Sequence, residues 1–344
     1  DDGSGDQRHR RNGDGVSESV GRRLRWGVLA PAAIAEDVVP GLQRSELNEL
    51  VAVASRSGDR AQAFADRFGI PDAHGSYHEL LARSDIDCVY ICVPKSEHAP
   101  WITAALESGK HVLSEKPMTP TAAEAEALFD LAASRDLVLA EAFMYRYHPK
   151  TLALGELVRS GRLGTIQEVR SSFNYWAVDP ENDIRFRPDL VGGALYDVGC
   201  YCVSMSNYLL DAAPVTAQGY AEMSPLGVDA RYVGTLVYEG GAIASFHCSM
   251  RSPLTLGVTV LGELGEVHVP MPWYAHKAPH SILVTYRDGG QELVEVTEEN
   301  AYFYETEAMA RAVLDGSPLE VPGSETVRTL ATIQMLQAST TVVG

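Results

Sequence analysis

The most informative part of the chain is a short apolar strand that ends on a lysine, His111-Val112-Leu113-Ser114-Glu115-Lys116-Pro117, ahead of a long Ala-rich helix. An ammonium group at the end of a buried strand needs a partner or a ligand. The carboxyl edge of a doubly wound sheet is also where such folds bind their substrates. These residues alone leave two interpretations open, a functional Lys116 or a surface lysine in an ordinary strand-to-helix turn.

Short apolar segments alternate with helical segments on both sides of this strand. Nearly continuous apolar strands are typical of a parallel sheet that is covered on both faces, and repeated strand–helix–strand units make a doubly wound domain. Thr121-Ala122-Ala123-Glu124 has the pattern of an N-terminal capping box. The predicted strands are 24–30, 49–55, 87–93, 111–114 and 137–140, and the predicted helices are 34–44, 59–68, 77–82, 97–108 and 121–134.

The pattern changes after residue 149. Gly-Gly turns at 239–241 and 288–290 predict hairpins between short strands. The fold class is therefore α/β, an N-terminal doubly wound parallel (Rossmann-like) sheet followed by an α+β domain with a large, mostly antiparallel open sheet. The predicted strands here are 166–176, 215–222, 232–238, 242–248, 256–261, 266–269, 282–286 and 293–296, with helices 150–160, 193–210, 302–314 and 325–338.

A chain of 344 residues is too long for one typical core. We expect a disordered tail at 1–23, a dinucleotide-binding domain at 24–149, and a substrate-binding and oligomerisation domain at 150–344. Packing of the final helices on the first domain is compatible with this division. An antiparallel sheet with one uncovered face predicts a homodimer or homotetramer that forms through that face, with strand 242–248 as a candidate.

Composition excludes several classes of protein. A formal net charge of −18 argues against nucleic acid, and no apolar run approaches the ~20 residues that span a bilayer. An odd number of cysteines, five, two of them inside strand 87–93, fits a reducing compartment, so we expect a cytoplasmic protein. The spacing Cys200-Tyr201-Cys202 does not match a zinc knuckle, and no metal is expected.

The first strand leads into a turn where a dinucleotide fold would hold a pyrophosphate. A glycine-rich turn lets backbone amides and a helix N-terminus approach the phosphates. Here the turn is Ala30-Pro31-Ala32-Ala33-Ile34-Ala35, so the three fingerprint positions are alanines at 30, 32 and 35. The register is right, but the motif match is poor, because two methyl groups stand where the backbone turns or meets phosphate.

The end of the second strand predicts which nicotinamide cofactor binds. Its residues are Ser55-Arg56-Ser57, where an acidic residue would hold the ribose 2′-hydroxyl of NAD. An arginine between hydroxyls suits the 2′-phosphate of NADP instead. NADP(H) is therefore favoured over NAD(H), and a solvated loop arginine is the alternative.

Four motifs together are specific for one family of enzymes. They are Val93-Pro94 with His98, Gly109-Lys110-His111-Val112-Leu113-Ser114-Glu115-Lys116-Pro117, Glu141-Ala142-Phe143-Met144-Tyr145-Arg146-Tyr147-His148-Pro149, and Gly192-Gly193-Ala194-Leu195-Tyr196-Asp197-Val198-Gly199-Cys200-Tyr201. In these residues the chain resembles the glucose–fructose oxidoreductase, inositol dehydrogenase and related (Gfo/Idh/MocA) oxidoreductases. The last two motifs are most similar to the branch with dimeric dihydrodiol dehydrogenases, NADP-dependent aldose dehydrogenases and nucleotide-sugar ketoreductases.

The resemblance implies roles for the catalytic residues and a cis bond before Pro117. Lys116 would polarise or hydrogen-bond the substrate oxygen, and Tyr201 would be the acid/base, with a pKa lowered by the neighbouring ammonium. Asp197 would anchor the substrate or the lysine, and its spacing of four from Tyr201 places both on one helix face. A packed core tyrosine is the alternative for Tyr201.

The resemblance also implies binding residues. Val93, Pro94, His98 and Glu115 would join the turn at 30–34 and the 55–57 segment in binding the cofactor. Substrate contacts are expected from Arg146, His148 and Arg185, with helix capping as the alternative for His148 and solvent exposure for Arg185. Lys95 stands where relatives often have asparagine, a change that alters contacts near the nicotinamide ribose.

The leading hypothesis is an NADP(H)-dependent oxidoreductase that acts on a secondary alcohol or ketone of a sugar, sugar nucleotide or cyclitol. One alternative is an aldose 1-dehydrogenase or trans-dihydrodiol dehydrogenase. Another, of a different class, is a catalytically silent relative that binds a ligand or a protein. The sequence names neither the substrate nor the direction of the reaction.

Overall fold

A computed structural model describes residues 21–277 and 279–344. Most of the tail predicted as disordered, residues 1–20, lies outside the described residues. The first strand begins at Leu24, as the sequence predicts. No helix in the described ranges is both long and apolar enough to cross a membrane.

The first sheet is parallel and has six strands in the described part of the chain. Their order across the sheet is β3-β2-β1-β4-β5-β6, so the direction of winding reverses between β1 and β4. The strands are Leu24–Leu29 (β1), Asn48–Ala54 (β2), Asp72–His74 (β3), Cys88–Ile91 (β4), His111–Glu115 (β5) and Leu139–Ala142 (β6). All but β3 were predicted, and β3 has only three residues, too few for a periodic pattern.

Five helices cover the two faces of this sheet. Apolar side chains of α1 pack on one face, and those of α3 and α4 pack on the other. Ser57 and Thr121 cap α2 and α5 by accepting backbone N–H bonds, so the predicted capping position at Thr121 is confirmed. The helices are Ala35–Arg44 (α1), Gly58–Phe68 (α2), Tyr77–Leu81 (α3), His98–Glu107 (α4) and Ala122–Ser134 (α5).

The second sheet is mostly antiparallel and has nine strands among the described residues. Their order is β14-β13-β12-β11-β7-β10-β9-β8-β15, with parallel pairs only at β7/β10 and β8/β15. The strands are Ile166–Trp176 (β7), Thr216–Met223 (β8), Asp229–Val237 (β9), Ile243–Ser249 (β10), Arg251–Gly262 (β11), Gly265–Pro270 (β12), Ser281–Tyr286 (β13), Gln291–Glu295 (β14) and Thr340–Val342 (β15). The predicted fold class is confirmed.

Helices cover one face of the second sheet and reach back to the first. Buried residues of α7 pack on the sheet, while α8 packs against α1 and α9 against α5 and α7. The helices are Pro149–Arg159 (α6), Cys200–Leu210 (α7), Ala301–Asp315 (α8) and Gly323–Ala338 (α9). The division of the chain into domains at residue 149 stays a prediction.

The turn after β1 carries a strained alanine. Ala30 has φ of +81°, in the left-handed region where a Cβ atom costs about 1–2 kcal/mol. This is the first fingerprint position of a dinucleotide turn, where glycine is usual. The sequence match is poor there because the backbone keeps the glycine conformation while the residue is alanine.

We predict that Ala30→Gly raises the free energy of unfolding by about 0.5–1 kcal/mol, since relief of the strain exceeds the entropic cost of glycine. Ala33→Gly, in the same turn without a positive φ, is the control and should destabilise the protein by up to about 1 kcal/mol. Urea denaturation of the two variants measures both values. Equal destabilisation by both substitutions would contradict the strain at Ala30.

Candidate functional site

A cavity of about 560 Å³ lies at the carboxyl edge of the first sheet, next to the π-helical turn Leu195–Gly199 that precedes α7. Such an edge, at the point where the winding reverses, is where open α/β sheets bind ligands. The residues predicted from sequence that line it are Ala32, Ala33, Ile34, Val93, Pro94, His98, Glu115, Lys116, Arg185, Asp197 and Tyr201.

Lys116 is the residue on which the two halves of the site meet. Its bond to Pro117 is cis, as the resemblance implied. Its Nζ donates to the backbone oxygen of Asp197 at 2.9 Å and lies 3.9 Å from that residue's Oδ1. Burial disfavours the ammonium, but the negative charges of Asp197 and Glu115 outweigh burial and raise the pKa of Lys116. Lys116 is therefore a permanent cation in the cavity.

Asp197 is a buried carboxylate held between cations. Its Oδ1 lies 3.3 Å from the Nζ of Lys95, and its Oδ2 accepts a hydrogen bond of 2.8 Å from the hydroxyl of Tyr175. Burial alone would raise the pKa of Asp197, but the charges of Lys95, Lys116 and Arg185 hold it below the ordinary value. Asp197 stays ionised, so it can anchor groups but cannot donate a proton.

A π-helical turn, rather than the regular helix of the prediction, carries Asp197 and leads to Tyr201. Such turns occur mostly as single-turn insertions, frequently at functional sites. Both side chains line the cavity, as the predicted spacing requires. Gly192-Gly193 precede this turn, and an added Cβ on Gly193 would clash with Oδ1 of Asp229.

Asp229 is a site residue that the sequence did not reveal. Its Oδ2 accepts the N–H of Leu195 at 2.7 Å, which satisfies an amide at the start of the helical segment. Burial raises the pKa of Asp229 to about 7. Asp229 lies on β9, far along the chain from the residues it positions, so no local pattern marks it.

Tyr201 is packed among aromatic rings, and the prediction that a neighbouring ammonium lowers its pKa is wrong. The Lys116 ammonium lies 4.8 Å from the ring centroid, over the ring face, and the phenol donates to Sδ of Met144 at 3.8 Å. Burial, and then the charge of Glu115, raise the pKa of Tyr201 well above its ordinary value. The phenol therefore keeps its proton at neutral pH.

The turn at the start of α1 fits a phosphate group despite its alanines. The amides of Ala33 and Ile34 have no hydrogen-bond acceptor among the described residues, and both residues line the cavity at the N-terminus of a ten-residue helix. A helix N-terminus with free amides favours an anion. Ala30 and Pro31 lie in the same turn without lining the cavity.

His98 links two strand ends beside the cavity. Its Nδ1 lies 3.1 Å from the oxygen of Pro117, and its Nε2 lies 3.0 Å from the oxygen of Val93. Burial lowers the pKa of His98 to about 4, so the ring is neutral at physiological pH and donates one hydrogen bond. His98 thus donates to one of these two carbonyls and lies against the other, as well as lining the cavity.

Ser55, Arg56 and Ser57 lie at the carboxyl end of β2, beside the end of β1, and do not line the cavity itself. Arg56 is exposed, and its Nη1 lies 3.5 Å from Oε1 of Glu97. Ser57 accepts the N–H of Arg60 and caps α2. The segment is placed at the strand end where a cofactor ribose is held in this fold.

Arg185 lines the cavity wall, whereas two other predicted substrate residues lie elsewhere. Arg185 binds Asp183 through Nε and Nη2, and its guanidinium lies 5.0 Å from the ring centroid of Tyr175. Arg146 is buried away from the cavity because it pairs with Glu325 at 2.6 Å and stacks on Tyr208.

His148 also lies away from the cavity and caps α6. Its Nδ1 accepts the N–H of Lys150 at 3.0 Å. The capping alternative therefore describes its place in the structure, and the prediction that His148 contacts substrate has no geometric support.

Four further aromatic residues line the cavity that the sequence did not single out: Phe173, Tyr175, Tyr274 and Tyr302. They come from β7, the segment after β12, and α8, and only the fold brings them together.

No cluster of three or more His, Cys, Asp or Glu side chains in residues 21–277 and 279–344 is placed to hold a metal ion. The five cysteines are buried and unpaired.

Two family models match most of the chain. Residues 25–143 match the oxidoreductase family with an NAD-binding Rossmann fold, and residues 151–268 match the GFO/IDH/MocA C-terminal domain. The chain belongs to the Gfo/Idh/MocA oxidoreductases. The resemblance seen in the sequence is thereby confirmed, and this family member is an oxidoreductase.

Similar proteins fall in the branch that the motifs indicated. The NADP(+)-dependent D-xylose 1-dehydrogenase 2 of Haloferax volcanii is 39% identical over 92% of this chain and 97% of its own. The trans-1,2-dihydrobenzene-1,2-diol dehydrogenase of Mus musculus is 34% identical over 76% of this chain and 78% of its own. A 3-ketoreductase from Actinomadura kijaniata, solved with NADP and TDP-benzene, superposes with a TM-score of 0.84 at 30% identity over 94% and 99% of the two chains.

A buried carboxyl beside the site makes stability depend on pH. Glu141 Oε1 accepts the N–H of Met118 at 2.8 Å, while its Oε2 is buried and has no partner in the described structure. Burial raises the pKa of Glu141 from 4.5 to about 7. Between these two pH values the folded protein binds a proton that the unfolded chain does not, so stability falls as the pH rises.

We predict that the free energy of unfolding of Glu141→Gln falls less steeply with pH than that of the wild type, because the amide has no proton to lose. The difference in slope should be about 1.4 kcal/mol per pH unit between pH 5 and pH 7. Urea denaturation at pH 5, 6 and 7 measures the slope for both proteins. Glu298→Gln, at an exposed side chain, is the control and should keep the original slope. Parallel pH curves for wild type and Glu141→Gln would show that Glu141 is ionised throughout.

Proposed function

We propose that the protein is an NADP(H)-dependent oxidoreductase that transfers hydride between nicotinamide and a secondary alcohol or ketone carbon of a sugar-like substrate. The observation that supports this most is the meeting of Lys116, Asp197 and Tyr201 in one cavity at the carboxyl edge of the first sheet. When bound, the nicotinamide supplies or accepts the hydride. The residues of the chain must then bind the substrate oxygen and move its proton.

The proton has one suitable donor in this arrangement. Tyr201 keeps its phenolic proton because burial raises its pKa, and Lys116 keeps its ammonium charge. In ketone reduction, the Lys116 ammonium would polarise the carbonyl oxygen, and Tyr201 would donate the proton to it. Asp197 would hold Lys116 in place without exchanging protons.

The preference for NADP(H) rests on the end of β2. Arg56 and the hydroxyls of Ser55 and Ser57 stand at the strand end where NAD-specific folds carry a carboxylate. An exposed guanidinium can bind a 2′-phosphate through two N–H groups. The xylose dehydrogenase and the ketoreductase that resemble this chain also use or bind NADP.

A second candidate, a dehydrogenase of aldoses or of cyclic dihydrodiols, is favoured by the aromatic lining of the cavity. Phe173, Tyr175, Tyr274 and Tyr302 surround the reacting residues, and aromatic faces pack well against ring substrates. D-xylose and trans-1,2-dihydrobenzene-1,2-diol, the substrates that name two relatives, both carry hydroxyl groups on neighbouring carbons. The substrate class that we propose is therefore a ring or sugar with adjacent oxygens.

The alternative of a catalytically silent protein can be tested with the cofactor. NADPH should bind and change its nicotinamide fluorescence, and NADH should bind at least about 10-fold more weakly because it lacks the 2′-phosphate. Arg56→Ala should remove most of that difference. If neither nucleotide binds, the protein is not an enzyme of this class.

We predict that Tyr201→Phe lowers kcat by about 10²–10⁴-fold, because it removes the proposed proton donor, while the Kd for NADPH changes little. Lys116→Met should lower kcat to a similar degree. Tyr208→Phe, at another buried tyrosine of α7, is the matched control and should keep normal turnover. Unchanged turnover in Tyr201→Phe would remove this residue as the proton donor.

We also propose that the open face of the second sheet is covered by a second copy of the chain. The strand register places five exposed apolar side chains on that face: Tyr220, Val233, Ile243, Leu283 and Leu293. Exposed apolar side chains that share one face of a sheet are typical of an interface. Because the same face is present on each copy, a symmetric dimer or tetramer would cover it.

We predict that Val233→Glu combined with Ile243→Glu converts the oligomer into a monomer, because four carboxylates would meet at a symmetric interface. Static light scattering at micromolar concentration measures the mass. Leu264→Glu, at an exposed residue in the turn between β11 and β12, is the control and should keep the oligomer. A wild-type monomer under these conditions would contradict the proposed interface.

A further inference from the structure

Lys95 is a second ammonium group beside the reacting residues. It follows Pro94 at the carboxyl end of the β4 segment, opens the single helical turn Lys95–Glu97, and lines the cavity with 14% of its side chain exposed. Its position is set by Asp197, whose Oδ1 lies 3.3 Å from Lys95 Nζ and 3.9 Å from Lys116 Nζ. Two ammonium groups thus share one carboxylate oxygen.

The hydrogen-bond donors of Lys95 are mostly unused by the protein. An ammonium group carries three N–H donors. In the described part of the chain, Lys95 Nζ has one acceptor, Asp197 Oδ1. Lys116 Nζ, in contrast, donates to the Asp197 backbone oxygen as well as facing Oδ1. A largely buried cation with free donors in a cavity is costly unless a ligand supplies acceptors.

Both carboxylate oxygens of Asp197 already have partners, so further acceptors for Lys95 must come from another group. Asp197 Oδ2 is occupied by the Tyr175 hydroxyl, and Oδ1 faces both lysines. Two other carboxylates in the wall already have partners, since Arg185 binds Asp183 and the Tyr90 hydroxyl donates to Glu115. Among the described residues Asp197 Oδ1 is the one acceptor of Lys95 Nζ, so the remaining donors are available to an oxygen that arrives with the substrate.

We propose that Lys95 determines specificity by binding a hydroxyl or carbonyl oxygen on the carbon next to the reacting carbon. This inference rests on the proposed function, in which Lys116 binds the reacting oxygen. Because both ammonium groups lie within 4 Å of one atom, their donors converge on a small region of the cavity. Oxygens on two adjacent carbons are the pair of acceptors that can meet two donors held so close. The substrate class is thus a vicinal diol or an α-hydroxyketone.

The experiment compares matched alcohols in which only the neighbouring oxygen differs. The pairs are D-xylose with 2-deoxy-D-xylose, and trans-cyclohexane-1,2-diol with cyclohexanol, each oxidised with saturating NADP⁺ while NADPH formation is followed. A hydrogen bond to a charged group predicts a kcat/KM ratio of about 10 to 100 in favour of the vicinal diol. Lys95→Met should bring this ratio close to one, and Lys95→Arg should keep part of it.

The ratio distinguishes specificity from general damage, because loss of folding or of cofactor lowers both members of a pair equally. Lys277→Met removes an exposed cation beside Tyr274 and is the control, with an unchanged ratio. If diol and alcohol are oxidised with equal kcat/KM by the wild type, the assignment of Lys95 is wrong while the proposed function stands. If Lys95→Met keeps the ratio and weakens NADPH binding about 10-fold, Lys95 binds the cofactor instead. If no member of either pair is oxidised and neither NADPH nor NADH binds, the proposed function itself is wrong.

Discussion

The contact between Lys116 and Asp197 is the interaction on which the site depends. It joins the end of β5 in the first sheet to the turn before α7, which lies on the second. Neither charge would be stable alone at this depth, since breaking a buried pair leaves an uncompensated ion and costs about 3–5 kcal/mol. Each residue therefore keeps the other ionised. The pair holds the Lys116 ammonium beside the phenol of Tyr201 in one cavity.

A buried ion cluster of this kind is a poor source of stability but a good source of fixed charge. Two lysines, one aspartate and the Tyr175 hydroxyl form a set in which every oxygen of the carboxylate is used. Fixed charges stabilise a developing alkoxide without the reorganisation that water requires. The same packing explains why Tyr201 keeps its proton, because the aromatic shell that excludes water also raises the cost of a phenolate.

The fold could be predicted from the sequence because its elements carry local patterns. Buried parallel strands are continuous apolar runs, and the helices begin at residues such as Thr121 that cap them. Residues that line the cavity could be predicted where they sit in a motif, as with Lys116, Asp197 and Tyr201. Residues were not predicted where only tertiary packing creates the role. Asp229 caps a helical segment from a distant strand. Arg146 belongs to one of the motifs, but its side chain pairs with Glu325 and not with the cavity.

At the cofactor turn, the sequence match to the glycine-rich motif is poor, but the backbone keeps the conformation that glycine would adopt. Ala30 adopts a left-handed φ without being glycine, so the turn keeps its shape at a cost in strain. A motif search scores the residue type, whereas a phosphate meets the backbone amides, and those of Ala33 and Ile34 are free in the described structure. A fingerprint lost from the sequence can therefore survive in the conformation. The strain at Ala30 is tolerated because the paired strand on each side, with Leu29 opposite both Ala54 and Ile91, fixes where the turn must begin.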